Sequence, residues 1–189
     1  MYSNTHKFIF IHWGKCAGSS IKRGLMSIDG LEVKLERGHS NLNMMIRAIK
    51  ADGFNPDQYF KFTTVRNLWD REVSLYHHMS TINKRHPNDP EKQKMHFDGT
   101  FEEFVRSSNP LIPPDFEDFD YVVRYEFLQD DFATLCDKLN VHKPELPHID
   151  YGTARPKIDY KSYYHGNLQQ IIAEKYAKEI EYFGYKFGA

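Results

Sequence analysis

A chain of 189 residues suits one domain with a substantial core, and 25 Lys plus Arg against 26 Asp plus Glu leave it nearly neutral. Bulk charge therefore gives no reason to expect a nucleic-acid partner or a membrane surface, and any anion site must be local. Two cysteines, Cys16 and Cys136, are too few for a disulfide framework, which suits a reduced intracellular protein.

The first apolar run follows Thr5, His6 and Lys7 and is only a few residues long, so neither a signal peptide nor a spanning helix is expected. That run, Phe8, Ile9, Phe10 and Ile11, has the pattern of a buried strand. It passes without a break into Gly14, Lys15, Cys16, Ala17, Gly18, Ser19 and Ser20, after which Ile21 and Leu25 take up helical spacing. Small residues let backbone wrap closely round a ligand, the first-turn N–H groups of a helix point at it, and Lys15 adds a full positive charge. The expected ligand is a phosphate-like anion. The order Gly, four residues, Gly-Lys-Ser/Thr of the Walker A loop is not met, because the lysine precedes the second glycine and the hydroxyls follow it. The stretch is thus a relative of the phosphate loop; the alternative is a plain strand-loop-helix connection with a solvated lysine.

Residues 20–28 predict a helix, Asp29-Gly30 a turn, and residues 31–35 a second strand with alternating apolar side chains. A glycine-containing loop with His39 follows. Leu42, Met45, Ile46 and Ile49 have helical spacing that Gly53 and Pro56 end, and residues 59–65 are aromatic and β-branched enough for a third strand. Arg66 then stands at the carboxyl end of a strand, the edge where open parallel sheets bind ligands. Beyond it Trp69, Val73 and Tyr76 form an apolar helical stripe, with Ser74 about two turns along. Residues 81–118 shift towards Asn, Asp, Lys, His and Pro and predict a solvated insertion, either a lid or binding loop or a surface excursion. Within it, Thr100 and Glu103 have capping-box spacing for a short helix. Tyr121, Val122 and Val123 predict a fourth strand, and Phe132, Leu135 and Leu139 a helix. Residues 142–161 form a loop-rich segment carrying Lys143, Arg155, Lys157 and Lys161. A last helix over residues 167–183 places Leu168, Ile171, Ile172, Tyr176 and Ile180 on one stripe.

The first stretch resembles IFIHIPKTAGTS, a signature of the carbohydrate-type sulfotransferases. Trp13 stands for Ile, Gly14 for Pro, Cys16 for Thr and Ser19 for Thr, while Lys15, Ala17 and Gly18 are kept. Residues 65–76 resemble the second signature, VRNPYDRLVSAY, with Leu68 for Pro, Trp69 for Tyr and Glu72 for Leu. Residues 124–132 are similar to RYENLEEDF, and EIEYFGYKF near the end matches a common family terminus. The resemblance implies a three-layer α/β/α domain over residues 1–189 with a central parallel sheet, related to the P-loop fold, with residues 81–118 as lid or acceptor-binding insertion. It implies an enzyme that moves the sulfuryl group of 3'-phosphoadenosine 5'-phosphosulfate (PAPS) to a hydroxyl, releasing 3'-phosphoadenosine 5'-phosphate (PAP). The acceptor would be a small molecule, carbohydrate or glycoconjugate.

By that resemblance, Gly14, Lys15, Cys16, Ala17, Gly18, Ser19 and Ser20 hold the 5' end of the cofactor, and Lys15 is also catalytic. Arg66 and Ser74 hold the 3'-phosphate. Arg155 is taken as a further cofactor contact. Loss of the hydroxyl at Cys16 leaves only that residue's N–H for the anion. Asp70 and Arg71 are structural, as an ion pair or cap. His39, in the segment that matches the family's proposed base, would take the acceptor's proton, the alternatives being a noncatalytic N-cap neighbour or His12 as base. His77 and His78 point about 100° apart on a helix, no Cys/His cluster has zinc spacing, and no metal is expected. Family members of the Golgi carry an N-terminal anchor, whereas this chain as given begins almost at the loop, so a cytoplasmic enzyme or a trimmed chain is expected. The rival readings are a P-loop nucleotide kinase and a noncatalytic nucleotide-binding module of the same fold.

Overall fold

The computed structural model describes residues 1–35, 41–107, 116–146, 156 and 158–188. Its strands are β1 (Tyr2–Ser3), β2 (Phe8–Ile11), β3 (Phe60–Val65) and β4 (Tyr121–Arg124). Its helices are α1 (Gly18–Met26), α2 (Leu42–Ala51), α3 (Leu68–Arg85), α4 (Pro90–Gln93), α5 (Phe101–Ser107), α6 (Leu128–Leu139), α7 (Leu168–Lys175) and α8 (Ala177–Phe183). The chain divides into two compact units, Met1–Val65 with Ile112–Ile149 and Arg66–Leu111 with Asp150–Ala189.

The first unit holds a mixed sheet of order β1-β2-β3-β4. β2, β3 and β4 run parallel, with Phe10 opposite Phe62 and Phe62 opposite Tyr121, whereas β1 is an antiparallel edge on β2. Strand side chains alternate between faces. Phe8, Phe10, Phe62 and Val123 therefore pack on one side with Ile21 and Leu25 of α1 and Phe132 and Leu135 of α6. Ile9 and Ile11 pack on the other side with Met45 and Ile49 of α2. This unit is thus the expected α/β/α sandwich, and each such side chain contributes about 1.5 to 3 kcal/mol by burial. Gly24 lets α1 and α6 approach, since a Cβ there would lie 2.9 Å from the Phe132 ring. Cys136 is enclosed in the same core, and burial pushes its thiol up to about 11.

Residues 31–35 do not form the expected strand. Only Lys34 bridges the sheet, through both its backbone groups to Tyr2 at 3.0 and 2.8 Å. The edge of β2 is taken by β1, which no pattern in the sequence announced and which is too short to carry a further ladder.

The second unit is helical around an aromatic cluster, in which the Tyr76 ring meets Phe101 at 5.5 Å and Phe104 at 5.7 Å. The helix expected after Arg66 is longer than its apolar stripe. α3 runs to Arg85, held by buried Ile82, and α4 follows where a solvated loop was expected, capped by the Asp89 side chain on the Lys92 N–H. The capping box before α5 forms as its spacing predicts: the Thr100 N–H donates to Glu103 Oε2 at 2.7 Å and the Glu103 N–H to Thr100 Oγ1 at 3.2 Å. The last helix is interrupted at Tyr176, whose buried hydroxyl donates to Glu72 Oε1 at 3.0 Å and accepts from Arg71 Nη1 at 3.4 Å.

In the first unit Asp131 ties β4 to α6, accepting from the Arg124 backbone N–H at 2.8 Å and from its Nε and Nη2 at 2.9 Å each. Burial pushes this carboxyl up, but the Arg124 hydrogen bonds and charge outweigh it, so the folded value lies below the ordinary one. A depressed carboxylate stabilises above its unfolded pKa and loses that contribution as pH falls through the folded one. Asp131→Asn should therefore lose about 1 to 3 kcal/mol in urea unfolding at pH 7, and the gap from the unsubstituted protein should close on acidification below about pH 4.

Candidate functional site

β2 ends at Ile11 and the chain turns through residues 12–17 into α1, as the strand-loop-helix pattern predicts. Lys15 and Ala17 both lie in the left-handed region, at φ 69° and 59°, on either side of Cys16. Alternation of this kind turns successive N–H groups towards one side, forming an anion-binding concavity. A nonglycine residue there costs about 1 to 3 kcal/mol. The turn is closed by the Cys16 N–H donating to the Trp13 carbonyl at 3.3 Å, and by the Ser20 and Ile21 N–H groups donating to the Ala17 carbonyl at 2.9 and 3.2 Å.

These bonds sort the predicted donors. The Cys16 N–H, expected to serve the anion, serves the turn, and its buried thiol points to the Gly14 carbonyl at 3.6 Å. The Ser20 N–H is likewise engaged and its side chain is buried. Gly18 and Ser19 open α1, where amides have no carbonyl within the helix to bond. Their N–H groups, the exposed Ser19 hydroxyl and half-buried Lys15 are the donors suited to an anion. A Cβ added at Gly14 would point into open space.

His12 has a role the sequence did not reveal. A Cβ on Gly18 would lie 2.4 Å from His12 Cδ2, so the imidazole packs directly on the loop backbone. The signal was present as the fixed six-residue spacing of His12 and Gly18, but nothing in the sequence says that the two meet.

Arg66, the first residue after β3, is buried at 7% exposure. Its Nε donates to Asp70 Oδ2 at 2.7 Å, and Nη2 lies 2.5 Å from the same oxygen, an ion pair between two residues that were not expected from the sequence to be joined. Asn67 caps α3, its Oδ1 facing the Asp70 N–H at 3.4 Å, and its Nδ2 donates to the Lys186 carbonyl at 3.1 Å. Ser74 lies two turns into α3 and is half-buried. Arg71 turns instead to Glu72, at 2.7 Å. His39 and Arg155 fall outside the described residues. Among the described residues no group of three His, Cys, Asp or Glu is placed to hold a metal ion, and no helix is long and apolar enough to cross a membrane.

Substitution at the two loop glycines should separate packing from flexibility. Gly18→Ala must displace the His12 ring and should destabilise by about 1 to 3 kcal/mol, whereas Gly14→Ala, whose added Cβ would meet no atom within 4 Å, should stay within about 0.5 kcal/mol in urea unfolding.

No curated protein sequence matches the chain. Among solved structures, that of mouse sulfotransferase SULT7A1 complexed with PAP is similar, with a TM-score of 0.58 over 95% of this chain and 86% of that one. At 13% sequence identity this likeness shows the fold. The sequence profile of the Sulfotransferase family matches residues 1–111, a span that contains both the anion loop and the Arg66 turn. With well over half of its 189 residues matched, this chain belongs to the sulfotransferase family.

Proposed function

We propose that the protein transfers the sulfuryl group of PAPS to a hydroxyl of an acceptor, of carbohydrate or glycoconjugate type, in the cytoplasm and without a metal. The observation that carries this reading is the loop in which Lys15 and Ala17 are held left-handed before the opening amides of α1. Its donor set, two N–H groups, a hydroxyl and an ammonium, suits a phosphate-like anion such as the 5'-phosphosulfate of PAPS. PAP in the SULT7A1 structure supports the same ligand class.

PAPS brings the activated sulfuryl group; the chain binds, orients and moves a proton. Lys15 and the Gly18 and Ser19 donors offset the charge that grows on the departing 5'-phosphate oxygen, a stabilisation worth most in the transition state. Arg66 and Ser74 hold the 3'-phosphate, which distinguishes this nucleotide from ATP, and Arg155 adds a further contact. His39 accepts the acceptor's proton as neutral imidazole. Residues 81–118 supply acceptor contacts within one functional domain of 189 residues. A second reading, a PAP-binding module without transfer, is favoured by Cys16, whose N–H and thiol are both turned to the loop's own carbonyls.

PAP should raise the melting temperature with or without Mg²⁺ while ATP does little; an ATP shift that requires magnesium would favour a kinase. Arg66→Ala should weaken PAP by about 1.5 to 3 kcal/mol and affect adenosine 5'-phosphosulfate, which lacks the 3'-phosphate, much less. Once an acceptor is found by PAPS consumption, Lys15→Ala should lose turnover more than PAP affinity. His39→Ala should bind PAP normally, lose about 10² to 10⁴ in turnover, and abolish a rise of rate with pH through one histidine-like ionisation. Binding without turnover on any hydroxyl acceptor would support the module.

A further inference from the structure

Arg66 is nearly enclosed, and a flexible guanidinium there would have several rotamers in which to meet a phosphate. The structure restricts it. Nε and Nη2, the donors on one edge of the planar group, both converge on Asp70 Oδ2, at 2.7 and 2.5 Å. Asp70 is itself a fixed point. Its side chain is 17% exposed, its backbone N–H faces the Asn67 cap at 3.4 Å, and that cap is tied by Nδ2 to the Lys186 carbonyl. Trp69 in the same turn is held from two further sides, by its indole N–H on the Gln169 carbonyl at 3.0 Å and by its carbonyl on the Tyr164 hydroxyl at 2.8 Å. The Phe187 ring, next to Lys186, packs edge-on to Trp69 at 5.7 Å.

We propose that Asp70 is a positioning residue for recognition of the 3'-phosphate: it fixes the Arg66 guanidinium in one orientation, so that the ligand meets an ordered donor instead of paying to order one. The inference rests on the reading of Arg66 as the 3'-phosphate contact. A carboxylate beside the cation also lowers the net charge the phosphate meets, so orientation and Coulomb attraction oppose each other at this residue. Orientation wins here because a guanidinium is planar and its recognition of oxyanions depends on the direction of its donors. Removal of an anion would otherwise be expected to tighten phosphate binding.

The test is calorimetric binding of PAP and of adenosine 5'-phosphosulfate to the unsubstituted protein and to Asp70→Asn, Arg66→Ala and the double variant. Asp70→Asn keeps the shape and should weaken PAP about five- to twentyfold, the lower part of the range of typical coupling between linked sites, with adenosine 5'-phosphosulfate changed less than twofold. In the Arg66→Ala background the same substitution should add nothing to the loss for PAP. Asp70→Glu, which keeps the charge but moves it by one methylene, should show the same selective loss and serves also if Asp70→Asn does not fold. Unchanged or tighter PAP binding, equal weakening of both nucleotides, or a full effect in the Arg66→Ala background would each overturn the proposal. If Arg66→Ala itself fails to discriminate the two nucleotides, the underlying assignment of Arg66 falls, and the positioning role falls with it.

Discussion

The parallel pairing of β2 with β3 is the constraint on which the rest depends. Parallel strands leave the sheet by the same edge, so the chain exits β2 into the Lys15 loop and exits β3 at Val65 from one side. The register is fixed by phenylalanines. Phe10 stacks on Phe62 at 4.8 Å and Phe8 meets Phe62 at 5.7 Å, all on the face that α1 and α6 cover. A slip of one residue would turn these rings to the opposite face and Ile9 and Ile11 to the first. The same apolar run that reads as a strand in the sequence therefore also sets where the anion loop begins. Polar contacts keep the antiparallel edge in place: Asp52 accepts from Tyr2 Oη at 2.8 Å, Asn4 Nδ2 at 2.9 Å and Lys34 Nζ at 2.6 Å, and with Lys34 as the largest influence its carboxyl falls to about 2.

In the second unit a polar network stands where hydrophobic packing would be simpler. Arg71 and Glu72 are consecutive, so a straight helix points them apart, yet both side chains are almost wholly enclosed and both reach Tyr176. Enclosing two ions costs several kcal/mol each before their attraction is counted, and replacing such a pair by apolar residues is often neutral or favourable. Burial accordingly pushes the Glu72 carboxyl up against the opposing pull of Arg71 and the Tyr176 hydrogen bond, and the Tyr176 phenol is pushed up too. Nearby Lys175 donates to the Val105 carbonyl, its ammonium lowered by burial and raised by Glu72. What the network supplies is geometry. It joins α3 to Tyr176, the residue at which α7 passes into α8.

The sequence exposed the parts of this molecule whose physics is local. The β2 strand, the loop, the α3 stripe and the Thr100 capping box each follow from neighbours within a few residues, and each forms. What stayed hidden depends on distant partners. β1 is two residues with no pattern, visible only once β2 offers an edge, and it displaces the strand expected over residues 31–35. Glu72, standing where the resembled signature has leucine, is buried against a tyrosine over a hundred residues away in the chain.

The anion loop shows the same division at the scale of single bonds. Composition gave its small residues and its lysine, and these would suit any phosphate loop. Which amides remain for a ligand is decided by the left-handed turns at Lys15 and Ala17, because they close hydrogen bonds from Cys16, Ser20 and Ile21 back onto the loop's own carbonyls. Neither residue is glycine, so this conformation is held against its intrinsic preference. The turn is accompanied by buried Cys16 and Trp13 side chains and by the His12 ring packed on Gly18. The cysteine that stands where the resembled signature has threonine fills an enclosed position, where its weak thiol donor reaches the Gly14 carbonyl.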